Sequence, residues 1–170
     1  MNVLLSRKYA FCASHRLHSH ALSDEENRAI YGKCNNPNGH GHNYEVRLTV
    51  RGAVGPVTGR VVALDVLDRL AEEQILQPLR YRNLNEEIEA FRTAVPTTEN
   101  LAFEIDRRLR SVWESVFGSD GPALERVSIW ETERNICEIA DLHEDEQQKT
   151  SGSESVSSEA GAGKAHCSAD

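Results

Sequence analysis

The sequence is short of most features that would assign it quickly. Its 170 residues hold four cysteines, and none sits in a C-x-x-C pair. Cys12, Cys34, Cys137 and Cys167 therefore read as separate reduced thiols, not as a disulfide frame. No long apolar run is present. Val3, Leu4 and Leu5 are followed at once by Ser6, Arg7 and Lys8, too short a run for a signal-peptide core or a membrane span. A cytoplasmic location is the expectation, with no membrane partner. Basic surface is also scarce. The formal charge is −8, and the densest cationic group is Arg107, Arg108 and Arg110. A nucleic-acid binder needs a basic face to displace counterions, so nucleic acid is not an expected partner. The arginine group reads as a solvated helix face.

The acidity is uneven. Residues 141–170 carry seven acids against two lysines, and from Thr150 onward serine, glycine, alanine and acid leave almost nothing apolar to bury. Ordering such a segment would not be repaid by burial. The expected organisation is one domain over 1–141 and a disordered acidic Ser/Gly/Ala-rich tail over 142–170.

Within the domain, Tyr44, Val46, Leu48 and Val50 alternate with polar residues at period two, which predicts a strand over 42–51 with one buried face. Residues 3–15 read as a second strand. Gly55, Pro56 and Gly59 predict a turn into a third, Arg60–Leu64. Asp65 is then placed to cap a helix bearing Leu67, Leu70, Ala71, Ile75 and Leu79 on one side, ending near Pro78. Thr97 or Thr98 caps another, with Leu101, Ile105, Leu109, Val112 and Val116 in a stripe and Gly118 as the stop. A hairpin is expected from Arg126 to about Ala140. This order predicts an α+β fold: an antiparallel sheet covered on one face by two helices. Its edges invite oligomerisation.

The chemistry concentrates in GKCNNPNGHGHN, 32–43. His40 and His42 are two apart and share parity with Tyr44, so both imidazoles leave the covered face. The pair suits a zinc ion, and it equally suits two structural histidines. His15 shares parity with Tyr9, Phe11 and Ala13 on the first strand, and an antiparallel neighbour would set it opposite His42. Three histidines would leave a coordination position open, as catalytic zinc sites do. His18 and His20 are rival ligands that read as loop residues, and His143 and His166 lie in the tail. Cys34 admits three readings: a packing residue, a thiolate base or nucleophile, or a fourth metal ligand. Glu131 continues the inward parity of Val127 and Ile129, where a lone buried carboxylate is costly. It would be satisfied by a ligand offering two N–H donors, or by an ion pair with Arg126 or Arg134. Glu99 reads first as a carboxylate favourably placed in a helix's first turn. Arg16 and Lys33 are candidates to receive phosphates by their charge alone.

The stretches FCASHRLHS, SDEEN, YGKCNNPNGHGHNYEV, PTTENLA and WETERNI, in that order across residues 8–140, resemble the 6-pyruvoyl-tetrahydropterin synthases. The queuosine-pathway 6-carboxytetrahydropterin synthases share the zinc histidines, but the resemblance is closer to the eukaryotic type. It implies a T-fold subunit with a four-stranded antiparallel sheet and two helices on one face. Three subunits would close a β-barrel, two trimers would stack into a homohexamer, and the active sites would lie between subunits. It further implies zinc on His15, His40 and His42, a catalytic thiol at Cys34, and pterin anchoring by Glu131 with Thr98 and Glu99. The reaction implied is elimination of triphosphate from 7,8-dihydroneopterin triphosphate in tetrahydrobiopterin synthesis. One departure stands out. The family frame Pro-Leu-Asp-His-x-Asn-Leu here reads Pro78-Leu79-Arg80-Tyr81-Arg82-Asn83-Leu84, so the Asp-His dyad is replaced. Arg80 beside Cys34 would favour a thiolate and the Tyr81 hydroxyl would relay a proton; the other reading is a non-catalytic zinc- and pterin-binding paralogue or regulatory subunit.

Overall fold

A computed structural model describes residues 1–140. The acidic tail expected over 142–170, with His143, His166 and Cys167, lies outside the described residues. Two long strands, β1 (Asn2–His15) and β2 (His40–Ala53), run antiparallel and pair along their whole length. β3 (Ala123–Trp130) joins β2, and β4 (Ile136–Ala140) joins β3, giving a four-stranded antiparallel sheet in the order β1-β2-β3-β4. The expected alternation holds. Tyr44, Val46, Leu48 and Val50 of β2, Phe11 and Ala13 of β1, and Val127 and Ile129 of β3 are buried on one face.

That face is covered by helices. α2 (Leu64–Ala71) continues through a wider π-type turn (Glu72–Leu76) into α3 (Gln77–Leu79), and α5 (Thr98–Phe117) follows the short α4 (Leu84–Glu87). Leu67, Leu70, Ile75 and Leu79 meet Leu101, Ile105 and Leu109 in a single core against the sheet. Thr97 caps α5 by accepting from the Asn100 N–H, and Gly118 ends it, as the sequence predicted. No described helix is long and apolar enough to cross a membrane.

Four details differ from the sequence reading. Residues 60–63 form no strand, because Gly55 N–H donates to Arg60 O and Gly59 N–H to Gly55 O, closing a turn that leads straight into α2. A short apolar run does not by itself distinguish a strand from a buried turn. Asp65 does not cap α2; Ala63 holds that position without a side-chain bond, and Asp65 sits inside the first turn. The hairpin starts at Ala123, three residues early, because Leu124 is also buried. The fourth is α1 (Asp24–Tyr31), which the hydrophobic pattern does not announce because only Asn27 is buried. Its signal was a capping box: Ser23 accepts from Glu26 N–H while Glu26 accepts from Ser23 N–H.

Candidate metal centre

Register brings the three histidines together at one end of the sheet. β1 pairs His15 with His40 and Ala13 with His42, so His15 faces His40 directly and His42 on the diagonal, not the reverse as expected from parity. Parity fixes the face but not the register, and a slip of two residues keeps every side chain on its side. The loop before β2 must pass close over the end of β1. Gly39 makes this possible: its φ is +64°, and a Cβ there would lie 2.8 Å from the His15 carbonyl oxygen.

His15 is 1% exposed. Its Nδ1 lies 2.8 Å from the Pro96 carbonyl, which can only accept, so Nδ1 carries the proton and Nε2 is a free lone pair. That Nε2 lies 3.2 Å from His40 Nε2. Two nitrogens about 2.1 Å from a tetrahedral zinc stand about 3.4 Å apart, so the spacing suits a shared metal. One ring nitrogen from each of His15, His40 and His42 falls within 4.8 Å of the others. His42 Nε2 is buried and has no hydrogen-bond partner. A bare buried imidazole nitrogen is costly, and an ion among the three rings would satisfy it. Burial holds the pKa of His15 and His42 below the ordinary 6.5, with Glu131 opposing the shift in both. The rings are thus kept in the neutral form that binds metal.

Glu131 completes the floor. Its Oε1 lies 3.7 Å from His15 Nε2 and 4.0 Å from His42 Nε2. Its Oε2 accepts from Asn135 Nδ2 at 2.7 Å, and the same amide donates to Thr98 Oγ1 at 2.9 Å. Neither arginine offered as a partner from sequence is there: Arg126 lies 3.9 Å from Glu138. Asn135 carries no signal in the sequence beyond its place in the WETERNI stretch. Thr98 is buried at the start of α5, whereas Glu99 is exposed and acts on Cys137.

Cys34 sits in a 3₁₀ turn (Gly32–Asn35) laced to the segment after β1: Leu17 N–H donates to Cys34 O, and the buried Asn35 amide donates to Leu17 O and lies 3.1 Å from His18 Nδ1. His18 and His20 meet edge to face outside the triad. Burial first and Glu131 second push the Cys34 thiol above its ordinary 9.0, so the chain alone keeps it protonated. Arg80 and Tyr81 are not gathered into this cluster. The Arg80 guanidinium lies 3.4 Å from Glu72, and Tyr81 is 80% exposed in a left-handed conformation, φ 62°. Tyr81 N–H donates to Cys12 O and Ser14 N–H to Arg82 O, so this strained segment lies along the free edge of β1.

Residues 4–141 match the sequence profile of the family described as 6-pyruvoyl tetrahydropterin synthase. The human protein named 6-pyruvoyl tetrahydrobiopterin synthase is 47% identical over 132 residues, 78% of this chain and 87% of that protein. The Drosophila melanogaster protein of the same name is 42% identical over 132 residues, 78% of this chain and 76% of its own length. Among solved structures, 6-pyruvoyl tetrahydropterin synthase from Caenorhabditis elegans superposes with a TM-score of 0.74 at 40% identity, over 83% of this chain and 96% of that one.

Proposed function

The chain belongs to the 6-pyruvoyl tetrahydropterin synthase family, and from that premise we propose that it is a zinc-dependent lyase that eliminates triphosphate from 7,8-dihydroneopterin triphosphate in the cytoplasm. The observation that carries the reading is the convergence of three imidazoles, with the buried His42 Nε2 left without a hydrogen-bond partner. His15, His40 and His42 offer three imidazole nitrogen donors and would leave a fourth position open, which suits zinc in a catalytic setting. Bound there, zinc would supply Lewis acidity to the substrate's side-chain oxygens, acidifying the adjoining C–H bonds and lowering the nearby thiol's pKa.

The chain's own groups do the rest. Glu131, held by Asn135, accepts the two N–H donors of the pterin's amino-pyrimidinone edge, with Thr98 beside it and Glu99 at the rim. Donation to that carboxylate spreads its charge, relieving part of the push that keeps Cys34 protonated. Cys34 as thiolate then moves the proton at the substrate side chain. The exposed position of Tyr81 suits sites between subunits, where Arg80 and Tyr81 of one chain would serve the Cys34 of another. The assembly that fits is a trimer closing a β-barrel and a homohexamer of two trimers. The β1 edge is covered at Cys12–Ser14 by residues 81–83, and its earlier part is left to pair.

Incubation of the zinc-loaded protein with 7,8-dihydroneopterin triphosphate, followed by detection of free triphosphate and of the pyruvoyl product, tests this reading. Release is expected, and only with metal present. The replacement of Asp-His by Arg80-Tyr81 favours a second reading, a zinc- and pterin-binding paralogue without turnover. Zinc retained with no triphosphate released would select it.

A further inference from the structure

Most cations among the described residues are paired with a carboxylate. Arg7, Lys8, Arg80, Arg82 and Arg126 each have a carboxylate partner. Among the described residues, Arg16, Arg28 and Lys33 form no ion pair, as Arg47, Arg60 and Arg134 form none, but the first three gather in one place: they line a single cavity of about 670 Å³ together with Asp24, Gly32, Asn35, Asn36 and Pro37. Three cations against one carboxylate make this the place where a polyanion is attracted on a chain whose formal charge of −8 otherwise repels it. The cations are also partly oriented. Arg28 Nε–H donates to Asp24 O at 3.1 Å. Arg16 Nε–H donates to Asn35 O at 3.1 Å, and its Nη2 lies 3.3 Å from His18 Nδ1. A guanidinium has five N–H donors, so each arginine keeps donors for a ligand.

The cavity adjoins the metal centre along the chain and in space. Arg16 follows His15, and Lys33 precedes Cys34. Arg16 also lines a neighbouring cavity of about 440 Å³, whose walls include His15, His18 and Gly39. We propose that Arg16, Arg28 and Lys33 form the subsite for the substrate's triphosphate tail, holding the leaving group while the pterin end rests on Glu131. Arginine forks match phosphate oxygens two at a time, and lysine adds a point charge. This inference rests on the lyase reading for the identity of the phosphate chain; the cavity's preference for a polyphosphate stands on its own.

The test is calorimetric titration of the full-length protein with inorganic triphosphate, with and without zinc, because triphosphate itself sequesters metal ions. The wild type is expected to bind in both forms. Lys33→Ala and Arg28→Ala should each raise Kd about tenfold, charge-assisted phosphate bonds being roughly twice as strong as neutral ones. Lys33→Arg should restore binding, and the double variant should flatten the salt dependence. Arg69→Ala, which removes an exposed cation paired with Asp65, should leave Kd unchanged. No binding by the metal-free wild type, Kd values indifferent to Arg28 and Lys33, or an equal loss in Arg69→Ala would each overturn the proposal. Cavity-dependent binding without triphosphate release from dihydroneopterin triphosphate would uphold the subsite and refute the lyase.

Discussion

Two polar clusters stand on the same face of β1, eight residues apart, and their contrast separates structure from function. At Arg7 every group is answered. Its guanidinium grips Asp68 of α2 with both Nε and Nη2, and the Tyr9 hydroxyl donates to the same carboxylate at 2.9 Å. At His15 the groups are left wanting. One nitrogen is tied to Pro96, while His15 Nε2 and His40 Nε2 face each other, and His42 Nε2 has no hydrogen-bond partner. A closed cluster ties strand to helix. An open one stores desolvation cost that only a ligand removes.

The largest effect that would break this contrast is loss of the metal. His42→Leu should weaken zinc binding by more than about 100-fold, since even outer partners of metal ligands cost 10–100-fold when removed. The metal-free variant should be no less stable than the metal-free wild type, because an unpaired nitrogen is replaced by apolar bulk. Zinc titration and urea melts check the two halves. Cys34→Ala comes next, with turnover falling about 10²–10⁴-fold and zinc content unchanged, as expected for a proton carrier that is not a ligand. Loss of zinc in that variant would instead make the thiol a fourth ligand.

The closed cluster should behave oppositely. Asp68→Asn should lower the thermal midpoint and leave zinc binding alone. The Arg7 hydrogen bond holds the Asp68 carboxyl below its ordinary 3.8, although burial opposes it. A depressed folded pKa means that this contribution is complete above about pH 4 and lost as pH falls further, so wild type and Asp68→Asn melting points should converge in acid. Tyr9→Phe is the smallest change, about 0.5–1.5 kcal/mol for one hydrogen bond, read from urea midpoints at neutral pH.

The sequence made the strands and the site's face legible because alternation is a strong signal. Tyr44 to Val50 and Phe11 to His15 put the three histidines on the covered side before any register was known. The exact pairing was not legible, since His15 opposite His40 and His15 opposite His42 share one parity. The core helices followed from their apolar stripes, whereas α1 buries only Asn27 and leaves its evidence in a cap. Asn135 escaped notice because its work is done by one side-chain amide that joins Glu131, four residues before it, to Thr98 across the fold. Arg28 escaped for a related reason: no local pattern joins it to Arg16, twelve residues earlier, and only the fold sets the two on one cavity with Lys33.

Metal content of the protein purified without chelators tests the central claim most directly. Elemental analysis should find about one zinc per chain, as a single His₃ site requires, and none in His42→Leu. A wild-type protein that takes up no zinc, or a His42→Leu variant that keeps it, would contradict the account.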